Sequence, residues 1–246
     1  MHSRRLGVSL GINLLPVDTK FCTFNCVYCE CGWSHEAVGQ SKKLPSRETV
    51  KAKLEEKLAA MKASGLRPDA ITFAGNGEPT IHPQFPGILD DTIALRDKYF
   101  PYAQVSVLTN SSTLDNPAIF KALKRTKNSI LKLDAGTEKM FRLINNPRSG
   151  ITLKHIVEKL NEFEGQLIIQ TLFIRGEKDG KKIDNTSGRE FSRWLKHVKS
   201  IAPKYVMIYP IDRETPINTL EKISFDELRA IAARVEAEGI KTQVYY

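Results

Sequence analysis

Along this chain, short apolar runs alternate with longer segments in which apolar residues recur every third or fourth position. The short runs, at 11–16, 69–74, 104–108, 129–134, 166–174, 204–211 and 241–246, predict buried strands. The longer segments predict amphipathic helices at 49–63, 88–99, 116–124, 152–163, 187–200 and 224–238. Local signals support several of these ends. Ser46 precedes the first helix, whose Val50, Leu54, Leu58 and Met61 share one face, and Gly65 and Pro68 stop it. Pro117 fits a first helical turn. In the 187–200 helix, Phe191, Trp194, Leu195 and Val198 turn inward. Ser224 with Glu227 forms a capping box, and Gly239 ends the last helix. Strands and helices in strict alternation imply right-handed crossovers and a parallel sheet, hence an α/β fold of about six units. The polar, glycine-containing stretch at 176–188 is expected to be a flexible lid.

Composition narrows this picture. With 246 residues and 41% hydrophobic content, the chain can build one substantial core, and residues 1–246 are read as a single domain. No signal peptide or membrane span is legible, so a cytoplasmic protein is expected. Lys and Arg number 37 against 28 Asp and Glu, a net charge of +9 that can attract nucleic acid or another polyanion and can equally be a solvated surface.

The chemistry concentrates at Cys22, Cys26 and Cys29, separated by three and then two residues. Thiolates suit soft iron sites, and three so closely spaced can ligate three irons of a [4Fe–4S] cubane, leaving the fourth iron for a small ligand. A zinc site would want four ligands, usually in two separated pairs, and no second pair exists. Cys31 is too near Cys29 to reach the remaining corner and is read as a thiol outside the ligand set. Disulfides this close together would staple almost nothing. A second polar loop, Gly75-Asn76-Gly77-Glu78-Pro79, follows a predicted strand; its glycines permit close backbone approach and its carboxylate can pair with an ammonium group. Thr109 and Asn110 end the next strand, and Asp134 the one after. His82 is read as structural, and His35, His155 and His197 carry no assigned role.

These features resemble the radical S-adenosylmethionine (SAM) superfamily, whose hallmark is CxxxCxxC with an aromatic residue, here Tyr28, before the last cysteine. The likeness runs from the Ser3-Arg4-Arg5-Leu6-Gly7 opening through Leu133-Asp134-Ala135-Gly136, roughly the first 150 residues. It implies a partial (β/α)6 TIM-like barrel, the radical SAM core, with a [4Fe–4S] cluster on Cys22, Cys26 and Cys29 as metal ligands. SAM would be met by Tyr28, Gly75, Gly77, Glu78, Asn110 and Asp134, with Glu78 on its amino group. The resemblance further implies an oxidoreductase or transferase that splits SAM to a 5′-deoxyadenosyl radical with an electron from a flavodoxin or ferredoxin. Within the superfamily the chain looks most like relatives of the wyosine tRNA-base synthetases, so a tRNA base or a related molecule is the expected substrate. Activation of a glycyl-radical enzyme, or a non-catalytic Fe–S module, are the alternatives. The absence of a second cysteine cluster argues against a peptide maturase with auxiliary clusters.

Overall fold

The structure is a computed structural model that describes residues 2–3, 5–34 and 44–246; His35 and Arg4 lie outside them. The chain segregates into two compact units. Unit one comprises Met1–Cys22, His35–Thr109 and Thr113–Ser129. In it, β1 (His2–Ser3) runs antiparallel to β2 (Gly7–Ile12), which pairs in parallel with β3 (Ala70–Phe73), and β3 in turn with β4 (Gln104–Thr109). Leu10 stands opposite Ile71, and Ile71 opposite Val105. The helices are α1 (Arg47–Ala63), α2 (Phe85–Tyr99) and α3 (Pro117–Lys124). Ser46 caps α1 by accepting from the Thr49 amide at 3.2 Å, and Leu54, Leu58 and Met61 form its buried face as their spacing predicts.

Unit two comprises Thr23–Ser34, Asn110–Ser112 and Ile130–Tyr246. It contains β5 (Asn128–Lys132) from Ile130 onward, α4 (Glu138–Asn145), α5 (Leu153–Asn161), β6 (Ile168–Leu172), β7 (Ile174–Lys178), β8 (Lys181–Asp184) and α6 (Gly188–Ile201). After these come β9 (Val206–Tyr209), β10 (Glu221–Lys222), α7 (Phe225–Glu236) and β11 (Thr242–Val244). Parallel pairing runs β5, β6, β9, β11, while β10, β7 and β8 make a small antiparallel sheet. The core beneath α6 is aromatic: Trp194 meets Phe173 edge-on with centroids 5.2 Å apart, and its indole N–H donates to the Leu133 carbonyl at 2.9 Å.

Three features differ from the sequence reading. The 11–16 strand ends at Ile12, so residues 13–16 already belong to the loop that leads to the cysteines. The 166–174 run breaks at Phe173, where the Asn185 side chain accepts from the Ile174 amide and donates to the Leu172 and Asp134 carbonyls, each at 2.8 Å. One amide thus replaces the ladder bonds that a turning strand loses. Third, the stretch expected to be a lid is largely a hairpin. Asp179 and Gly180 both take positive φ, 51° and 70°, as a tight type I′ connection demands.

Helix α4 has no counterpart in the sequence reading. Thr137 caps it, and the Glu190 carboxylate of α6 accepts from the Gly136 amide, the Thr137 amide at 3.1 Å and the Thr137 hydroxyl at 2.7 Å. Gly136 permits this approach, because a Cβ there would overlap the backbone of Glu190 and Trp194.

Between α1 and α2, Arg47 grips Asp91 through two hydrogen bonds, at 2.7 and 3.0 Å, and this holds the Asp91 carboxyl below its usual range. A depressed carboxylate pKa contributes stability that is complete above the unfolded value of about 3.9 and fades as pH falls through the lower folded value. Asp91→Asn is therefore expected to lower the urea midpoint at pH 7, with the gap from the native chain closing below about pH 3.

Candidate functional site

The cysteine loop is anchored before its thiols are considered. Phe24 is buried against Phe141 of α4, edge to face at 5.5 Å. Backbone bonds then stitch the loop to the end of that helix: Val27 N–H to the Ile144 carbonyl at 2.9 Å, Asn25 N–H to Asn146 at 3.1 Å, and Arg148 N–H to Thr23 at 2.9 Å. Asn146 adopts a left-handed conformation at φ 39°, which ends α4 and turns the chain to run beside the loop. Asn110 adds a side-chain clasp, donating to the Thr23 hydroxyl at 2.9 Å and accepting from the Ser112 amide at 3.0 Å. Cys22 and Cys26 are buried, Cys29 is partly exposed, Cys31 is exposed, and none forms a disulfide.

Behind Cys26 and Tyr28 lies a buried polar network. The Tyr28 hydroxyl donates to Asp134 Oδ2 and accepts from Lys132 Nζ at 2.7 Å. The same carboxylate oxygen accepts from Asn145 Nδ2 at 2.8 Å, and Oδ1 accepts from the Leu172 amide at 3.0 Å. Lys132 Nζ lies 3.4 Å from Asp134 and sits over the Tyr28 ring, 5.1 Å from its centroid. Burial is the largest single influence and opposes the lysine charge, but Asp134 and the other neighbouring groups together outweigh it, and the ammonium pKa is raised. Burial, and then the Asp134 charge, push the Tyr28 phenol well above its ordinary value, so its proton stays on. Burial likewise raises the Cys26 thiol in the metal-free chain, with Lys132 working against it. Metal binding must therefore displace that proton.

In unit one the second loop is organised by Glu78. Its Oε1 accepts from the Thr80 amide at 3.1 Å, the Thr80 hydroxyl at 2.5 Å and the Thr109 hydroxyl at 2.8 Å. Phe21, next to Cys22, is held here by two backbone bonds, its N–H to the Asn76 carbonyl at 2.8 Å and its carbonyl from the Glu78 amide at 3.1 Å. Gly77 sits at φ 147° with the Phe21 carbonyl where a Cβ would be, and at Gly75 the Asn13 side chain occupies that space. These glycines thus serve contact with the chain itself as well as any approach of a ligand. His82 fits its structural reading, since it is buried and its Nε2 is 2.9 Å from the Pro45 carbonyl.

Two residues of the network, Lys132 and Asn145, were not singled out from the sequence. Lys132 interrupts the apolar run Ile130, Leu131 and Leu133, a signal that was available. Asn145 depends on α4, which the alternation of strands and helices did not call for. Removing the carboxylate would leave the Lys132 ammonium buried without its partner. Asp134→Ala is therefore expected to cost about 3–5 kcal/mol in chemical denaturation, and adding Lys132→Met should recover much of that loss.

Among the described residues, no three His, Cys, Asp or Glu side chains gather as ligands of a single ion would. A cubane makes a different demand, because each thiolate binds its own iron. The donor set fits that group: thiols without disulfides, two of them in dry surroundings, on a loop fixed by backbone bonds. The radical SAM superfamily model matches residues 17–182. A UPF0026 protein of Methanocaldococcus jannaschii is 31% identical over 70% of this chain, and the match covers 52% of that relative, so the chain spans about half its length. A radical SAM methyltransferase from Sphaerobacter thermophilus shares the fold with a TM-score of 0.66 at 14% identity, covering 92% of this chain and 63% of that one. SuiB of Streptococcus suis bound to S-adenosylmethionine does so at 0.67 and 13% identity, covering 97% and 50%. The fold is accordingly α/β, a partial TIM-like barrel of the radical SAM core. The chain belongs to the radical SAM superfamily, whose cofactors are a [4Fe–4S] cluster and S-adenosylmethionine.

Proposed function

We propose that this protein is a radical SAM enzyme acting on a base of tRNA or a similar polyanion, close in kind to the wyosine-base synthetases. Cys22, Cys26 and Cys29 hold the cluster in this reading. When bound, cluster and SAM together supply one-electron cleavage of SAM and a carbon radical that removes hydrogen from the substrate. The remaining work belongs to the chain. Glu78, with Gly75 and Gly77, receives the methionine amine of SAM, and Asn110 fixes Thr23 of the cysteine loop. Tyr28 contributes the face of its ring. Asp134, whose oxygens already accept from Tyr28, Asn145 and Leu172, acts at one remove by holding Tyr28 in place. The dry setting of Cys26 and Tyr28 keeps water from the reacting centre. A flavodoxin or ferredoxin supplies the electron, and the protein works in the cytoplasm; among the described residues no helix is long and apolar enough to cross a membrane.

The observation that carries the substrate class is the surface where the cysteine loop ends. Lys178 of β7 lies over the Trp33 ring, 5.4 Å from its centroid, so the basic hairpin of β7 and β8 reaches the residues just after Cys29, and Arg213, in the segment that follows β9, bonds Glu30 at 3.0 Å. Lys181 and Lys182 stand exposed at its tip. Cations around an aromatic ring are what an unstacked base with its phosphates would meet, and the +9 net charge favours the same partner.

Cys26→Ala is expected to abolish both the brown chromophore of the reconstituted protein and its dithionite-driven release of 5′-deoxyadenosine; retained release would refute the ligand assignment. The double charge reversal Lys181→Glu with Lys182→Glu should weaken tRNA binding at least tenfold in a filter assay and flatten its salt dependence, while SAM cleavage persists. Unchanged tRNA affinity would remove the nucleic-acid reading and leave the radical chemistry standing.

A further inference from the structure

Asn145 is the last residue of α4 and is almost completely buried, at 1% exposure. Its side-chain nitrogen donates to Asp134 Oδ2 at 2.8 Å and lies 3.5 Å from Cys26 Sγ. Only the NH2 end of an amide can donate to a carboxylate, so the contact with Asp134 fixes which way the side chain faces. One N–H then serves the carboxylate and the other the sulfur. The amide oxygen has no hydrogen-bond partner. Burying an acceptor unsatisfied is costly, so this orientation is held by what the nitrogen does.

We propose that Asn145 is a tuning residue for the cluster, donating an N–H···S hydrogen bond to the Cys26 thiolate and thereby raising the reduction potential of the cubane. The inference rests on the reading of Cys26 as a cluster ligand. Sulfur ligands gain negative charge when a cluster accepts an electron, so a donor aimed at one of them stabilises the reduced state more than the oxidised one. Asp134 strengthens the effect, because a carboxylate accepting from one N–H fixes the group and directs the other at the sulfur. The backbone bonds from Asn25 and Val27 to Asn146 and Ile144, at 3.1 and 2.9 Å, keep Cys26 at a constant distance from the amide. A residue acting through shape alone would be replaceable by an isostere without N–H groups. For Asn145 that isostere is Leu.

The test is an anaerobic redox titration of the reconstituted protein followed by electron paramagnetic resonance. Asn145→Leu is expected to bind the cubane with an unchanged line shape. Its reduction should be roughly tenfold less favourable, a shift of about 59 mV to lower potential for one electron. An unaltered potential with an intact cluster signal would overturn the proposal. Should the variant take up no iron, the native protein decides. With ¹⁵N-asparagine incorporated, pulsed electron paramagnetic resonance of the reduced cluster should show a coupled side-chain nitrogen, and the absence of any coupling would overturn the proposal. The Asn25 backbone N–H is already committed to the Asn146 carbonyl at 3.1 Å and is not a competing source. If native protein shows no cubane signal at all, the cluster reading itself falls, an outcome distinct from a cubane indifferent to residue 145.

Discussion

The carboxylate of Asp134 is the point on which the site in unit two depends. It is fully buried, and a buried carboxylate is tolerable only if its lone pairs are used and its charge is answered. Tyr28, Asn145 and the Leu172 amide use the lone pairs, and Lys132 answers the charge. Those four partners come from four places: the cysteine loop, the end of α4, the end of β6, and β5. A group that costs much to bury in isolation thereby fixes the cysteine loop against the strands, because each connection it makes removes a way for the loop to move. Asn185 extends the same logic, joining the Asp134 carbonyl to the bend between β6 and β7.

The cysteine loop is held first of all by its backbone. Its N–H groups at Asn25 and Val27 are satisfied by carbonyls at the end of α4, and Phe21 by the Asn76 carbonyl. Placing backbone donors and acceptors in this way fixes the course of the loop through its main chain. The glycines of the second loop belong to the same economy of space, since Gly77 gives its missing side-chain volume to the Phe21 carbonyl.

Much of this was legible in the residues. Periodicity located the strands of the parallel pairings and every helix but α4 to within a few positions, because each element buries one regular face; Leu54, Leu58 and Met61 of α1 are a clear instance. The three closely spaced cysteines and the Gly-x-Gly-Glu loop were visible as local spacing. Less legible was whatever depends on pairing across the sequence. The break at Phe173 is set by Asn185, which lies beyond the next two strands, and the run itself is continuously apolar. The hairpin at Asp179-Gly180 did carry a sequence signal, since that dipeptide between extended runs is a turn former. It was outweighed by a polar composition that also suits a loop. Helix α4 is short and owes much of its start to Glu190, a distant capping partner that no local window contains. Asn145 was hidden with it.

The hairpin of β7 and β8 pairs with β10 in a small sheet of its own, rooted in the rest of unit two at a bend that a single amide side chain secures. Its ladder is closed by its own strands, so lengthening or recolouring the Asp179-Gly180 tip would leave the hydrogen bonding of the parallel strands intact. Such an arrangement separates two rates of evolutionary change. Descendants of this scaffold can change the surface at the tip while the sulfur-bearing loop and its carboxylate anchor stay as they are.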